Sequence, residues 1–114
     1  MGLLIHDGYT SDGKVEAAGR WPELNFRYRV ALPEAVFEYR RACRAGGKEE
    51  LAAAVSLLKG QLVSWDATLL ADGKEEGAPV SPENIRRLPA PVLDRLVDLV
   101  CGYGPAQAAA DAKN

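Results

Sequence analysis

The apolar residues Leu51, Val55, Leu58, Leu62 and Trp65 recur at intervals of 4, 3, 4 and 3 along the chain. That spacing puts all five on one stripe of an α-helix and predicts a helix from Lys48 to about Ser64. Upstream, Leu24, Phe26, Tyr28, Val30 and Leu32 alternate with Asn25, Arg27, Arg29 and Ala31. A period of two in aromatic and branched residues predicts a strand with one buried face and one face carrying two arginines. Pro33 then stands at the preferred first-turn position of a helix, Glu34–Ala45, with Glu34 beside the positive end of the helix dipole. Val36, Tyr39 and Cys43 share one face of that helix, and Arg40, Arg41 and Arg44 crowd its last turns, where cations are favoured. Gly46-Gly47 stops it, and so short a link predicts an antiparallel or steeply angled helix pair.

The flanking segments are less regular. Leu3–Ile5 is a short apolar run before Asp7-Gly8, Ser11-Asp12-Gly13 is a second turn signal, and Lys14–Ala18 is a candidate return strand. Together they suggest a loose hairpin. Gly19-Arg20-Trp21-Pro22 breaks the chain again, since Pro22 restricts Trp21 and cannot donate to a ladder. Ala67–Pro79 reads as a polar, Gly-bearing loop: a plain connection or a mobile docking segment. Trp65 reads as filling the end of the helix stripe, and Asp66 as capping the turn that follows. Ser81 is a good N-cap for a short helix with Pro82 at its first position, Asn84 at its third, and Ile85 and Leu88 as its apolar face. Pro89 and Pro91 precede a last helix, about Pro91–Cys101, with Leu93, Leu96, Val97 and Val100 inward and Asp94, Arg95 and Asp98 outward. The pattern describes one α+β domain over residues 1–103 and a disordered tail over 104–114. It has a small antiparallel sheet of about three strands from the N-terminal third, then three to four α-helices packed on one face.

Composition narrows the function classes. At 114 residues and 47% hydrophobic, the chain can bury a core without disulfides or metal. Sixteen acids against 14 bases leave a net charge of −2, which removes any bulk electrostatic case for nucleic acid. No apolar run approaches the roughly 20 residues that span a bilayer. The start MGLLIHDGYT lacks the basic region of a secretion signal. Gly2 invites a myristoylation reading, but His6 stands where Ser or Thr is wanted. Cys43 and Cys101 each fall in an apolar helical stripe and read as buried thiols.

Candidate chemistry is sparse. His6-Asp7 is the only adjacent base–acid pair, and it has no obvious nucleophile partner. Asp7, Asp12 and Asp72 lack the dense alternation and distal Glu of a calcium loop, and the glycines form neither G-x-G-x-x-G nor a Walker loop. No metal or cofactor is expected. Arg27, Arg29, Arg40, Arg41 and Arg44, interleaved with Tyr28 and Tyr39, form the one basic set, and a nucleic-acid-binding accessory role is the alternative reading. The strand alternation weighs against it, because Phe26 and Tyr28 point away from Arg27 and Arg29.

Five segments carry a likeness to a known family: DGYTSDG, LNFRYRVALPEAV, LKGQLVSWD, DGKEEGAPVSPENIRRLP and PVLDRLVDLVCGY. Their order resembles that of small proteins of phage tail modules, the tail assembly chaperones, over Asp7–Tyr103. The resemblance implies a non-enzymatic protein in the cytoplasm of a bacterial host, encoded by a prophage or its remnant. It would bind other tail components, such as a long tape-measure protein, and could self-associate. The family supplies no catalytic residues. The residues expected to make contacts are a basic face of Arg27, Arg29, Arg40, Arg41 and Arg44, and an acidic segment of Asp72, Lys74, Glu75 and Glu76. Leu88 joins them on the short helix between Pro82 and Pro89, which could shift to accept an amphipathic partner helix.

Overall fold

The computed structural model describes residues 2–3, 9–17, 19 and 21–102. Three strands, β1 (Ser11–Val15), β2 (Leu24–Tyr28) and β3 (Leu62–Trp65), form an antiparallel sheet in the order β1-β2-β3. β4 (Thr68–Ala71) and β5 (Lys74–Gly77) form a separate two-stranded hairpin. Four helices complete the α+β fold: α1 (Pro33–Ala45), α2 (Gly47–Gln61), α3 (Pro82–Arg86) and α4 (Ala90–Val100).

β2 follows the alternation. Leu24, Phe26 and Tyr28 are buried, and Asn25 and Arg27 between them are exposed. The strand ends at Tyr28, short of the expected Leu32, and Val30 and Leu32 are exposed. β1 corrects the N-terminal reading. Ser11-Asp12-Gly13 is not a turn but the first part of a strand, in register with Tyr28, Arg27 and Phe26. Gly13 lies directly opposite Phe26, whose ring covers the space a side chain would take. The expected partner strand at Leu3–Ile5 falls largely outside the described residues, as do His6-Asp7, Arg20 and the tail from Tyr103 onward.

The largest departure is at Leu62. α2 stops at Gln61, and Leu62 turns extended at φ −75° and ψ 128°. Leu62–Trp65 continues as β3 along the free edge of β2. The stripe that looked like one helix is therefore a helix followed by a strand. Leu62 is buried in either geometry, so hydrophobic spacing alone does not separate them. What decides is the ladder: the edge of β2 offers unpaired N–H and C=O groups, and β3 satisfies them. Tyr28 pairs with Leu62 and Arg27 with Ser64, so Val63 is the extra residue of a bulge and is exposed. The joint is pinned by Gln61, whose carbonyl accepts from the Arg29 N–H (2.8 Å) and whose side-chain amide donates to the Arg29 carbonyl (2.8 Å). At the other end, the Asp66 carboxylate accepts from the Asn25 backbone N–H (2.9 Å) and side-chain amide (3.0 Å). Asp66 thus clamps strand to strand.

The helices cover one face of this sheet. Leu58 of α2, Ile85 of α3, and Leu96, Leu99 and Val100 of α4 form the innermost layer. α4 buries Val92, Leu96, Val97, Leu99 and Val100. Leu93 and Arg95 are half-buried, so the apolar face is rotated slightly from the expected one. The Ser81 cap forms as expected, its hydroxyl accepting from the Asn84 N–H (3.2 Å). Gly46 closes α1 and starts α2 at a φ of 68°, a conformation glycine adopts without strain.

Candidate interaction groove

Ala67–Pro79 is the segment in which sequence reasoning missed most. It folds into the β4–β5 hairpin around Asp72 (φ 51°) and Gly73 (φ 77°). Two successive left-handed residues, Asp then Gly, are the signature of a tight hairpin turn. The signal was present in the sequence, but Lys74–Gly77 has no apolar alternation and disguises it as a loop. The hairpin is anchored at its base. Trp65 Nε1 donates to the Ala78 carbonyl, and the Ala78 N–H donates to the Ala67 carbonyl (2.9 Å). Asn84 Nδ2 ties the start of α3 to the Pro79 carbonyl (2.9 Å).

Between this hairpin and α3 runs an open groove of about 250 Å³, whose apolar walls are Trp65, Leu69, Leu70, Ala78 and Leu88. Leu70 is 75% exposed at its rim. Residues directly opposite on antiparallel strands face the same way, so Glu75, the partner of Leu70, stands beside it. The Glu75 carboxylate accepts from the Thr68 hydroxyl (2.8 Å). Asp72, Lys74 and Glu76 of the same hairpin are exposed. Glu76 pairs with Leu69 and so faces the other side of the hairpin from Glu75, and Arg87 lines the groove. Leu88 is half-buried in the groove wall, so the groove is open with α3 in place.

The five arginines are spread over β2, the segment that follows it and α1. Arg27 donates from Nε to the Thr10 hydroxyl (3.2 Å) and pairs with Asp12 across the strands (3.7 Å). Exposed pairs of this kind contribute little, about 0–1 kcal/mol. Arg29 is exposed beyond β2, and Arg41 and Arg44 are exposed on α1. Arg40 lines a cleft between α1 and α4 with Tyr39, Asp94, Val97, Asp98 and Cys101. Asp12 and Asp72 sit on different elements. Among the described residues no group of three or more His, Cys, Asp or Glu is placed to hold a metal ion.

In the α1–α4 cleft, burial and a hydrogen bond with the Cys43 thiol push the Tyr39 phenol far above its ordinary range. Burial also raises the Cys101 thiol; Arg40 opposes the shift, and Asp98 and Cys43 add to it. Both cysteines are free and half-buried. Alkylation at neutral pH, followed peptide by peptide by mass spectrometry, should therefore be slower at Cys101 than in an unfolded control. The native rate should keep rising with pH after that control has levelled off. Equal native and unfolded rates would contradict the burial described.

No protein-family model, curated protein or solved structure matches this chain. Among the described residues no helix is long and apolar enough to cross a membrane.

Proposed function

We propose that this is a non-enzymatic protein-binding protein of the tail assembly chaperone kind, acting in the cytoplasm of a bacterial host. Its hairpin–α3 groove takes an amphipathic segment of another tail component, such as a long tape-measure protein. The observation that carries the reading is Leu70, a large apolar side chain left 75% exposed at the mouth of an apolar groove. An isolated exposed leucine is ordinary, but one that continues an apolar trough suits an apolar anchor from a partner. The exposed carboxylates of the hairpin, Asp72, Glu75 and Glu76, favour a partner whose polar face carries Lys or Arg. The five-residue α3 is held by its Ser81 cap and the buried Ile85, so the groove meets its partner largely preformed.

The test is capture from the native host with a tagged chain at low and high salt, comparing wild type with Leu70→Asp and Leu88→Asp. A long helical tail-like protein should be captured by the wild type and survive salt, because apolar burial outlasts screening. Leu70→Asp should lose it while keeping a native circular dichroism spectrum, and Leu88→Asp should lose it too. Salt-sensitive capture of nucleic acid alone, or capture indifferent to Leu70, would overturn the proposal.

A further inference from the structure

The outer face of α1 carries a second, independent surface. Counted at 3.6 residues per turn, Glu34, Phe37, Glu38, Arg41 and Arg44 fall on one side of the helix. All five are exposed. Phe37 is 66% exposed, the larger of the two phenylalanines' exposures by far, since Phe26 is 5% exposed. The face is polarised along its length. Glu34 and Glu38 occupy the N-terminal half and Arg41 and Arg44 the C-terminal half, with Phe37 near the middle. None of the four charged groups has an ion-pair partner among the described residues.

We propose that this face pairs antiparallel with the same face of a second copy of the chain. A two-fold axis near the middle of α1 sets Glu34 opposite Arg44 of the second copy, and sets Phe37 and Glu38 opposite Arg41 of the second copy. Each contact occurs twice, as an isologous interface requires. Parallel pairing would place like charges together, so the charge pattern selects the antiparallel arrangement. The guanidinium of Arg41 lies over a Phe37 ring in this arrangement, a favourable cation–aromatic contact. Beside this face, the α1–α2 groove is lined by Ala35, Ala42, Ala53 and Gly60, small residues that let a second helix approach closely. A single helix face of 13 residues covers less than a standard interface, so the dimer is weak and concentration-dependent.

Sedimentation velocity over roughly a hundredfold range of concentration reads this directly. The wild type should move from monomer to dimer as concentration rises, and the dimer should recede in high salt. Phe37→Asp should stay monomeric throughout with an unchanged circular dichroism spectrum. Glu34→Arg or Arg44→Glu alone should weaken the dimer roughly tenfold, because each change strikes two symmetry-related pairs. The double variant E34R/R44E should restore it. A wild type that is monomeric at every concentration, a dimer indifferent to Phe37→Asp, or a double variant that fails to recover would each overturn the proposal. None of these outcomes bears on the hairpin groove, which lies on different elements.

Discussion

Leu58→Ala is expected to lower the free energy of unfolding by about 3–5 kcal/mol. Leu58 has no solvent exposure and sits on α2, the helix that contacts α1, α3 and α4. Truncation removes the transfer energy of the side chain and leaves a cavity at the meeting point of several elements, which limits relaxation. Domains of this size have about 5–15 kcal/mol to lose, so the change takes a large part of the whole. Chemical denaturation should show a lower midpoint with an unchanged slope. Leu51 lies on the same helix at 39% exposed, and its alanine variant should cost far less. A Leu58→Ala cost below about 1 kcal/mol would place the centre of the core elsewhere.

Gly13→Ala is the second large effect, expected at about 1–3 kcal/mol destabilising. Alanine ordinarily improves on glycine inside a strand by roughly 0.5–1 kcal/mol, so the sign itself is informative. At Gly13 a Cβ would stand 2.5 Å from Phe26 Cζ, 2.7 Å from Cε2 and 3.1 Å from Tyr28 Cε1. The Phe26 ring cannot swing aside cheaply, because it is 5% exposed and packed on the Tyr28 ring, with centroids 5.4 Å apart at 44°. Gly77→Ala in β5 is the control, since nothing lies within 4 Å of its Cβ position. That variant should be neutral or slightly stabilising, so the thermal melt should fall for Gly13→Ala and stay or rise for Gly77→Ala. A stabilising Gly13→Ala would show that the aromatic pair is loosely held.

These two sites also show what the sequence made legible. The alternation around Phe26 and Tyr28 pointed to β2 and to its buried face, because a strand half-covered by a core writes its period into the chain. The Ser81 cap and the α1–α2 pair were legible for a similar reason, since caps and glycine stops are local. In the sequence Gly13 reads as a turn, because glycine marks turns far more often than it makes room for a cross-strand ring. Only the pairing partner, Phe26, distinguishes the two uses. Leu62–Trp65 reads as helix because 4-3-4-3 spacing continues across the joint, and the ladder with β2 that breaks it is non-local. The candidate groove was half visible. Leu88 and the acidic residues Asp72, Glu75 and Glu76 stand out in the sequence, whereas Leu70 does not, because exposure of an apolar residue depends on which hairpin face meets the core. The exposure of Phe37 is equally hidden in the sequence, since a phenylalanine in a helix is ordinarily core.

Partner binding in the groove is read most directly by site-specific photo-cross-linking in the native host, with the reactive side chain at position 70. An adduct to one long helical protein is expected, mapped to an amphipathic segment with basic residues on its polar face. Leu88→Asp in the same chain should abolish that adduct. A position 70 that cross-links to nothing, or one whose adduct is indifferent to Leu88, would contradict a partner-binding groove between the hairpin and α3.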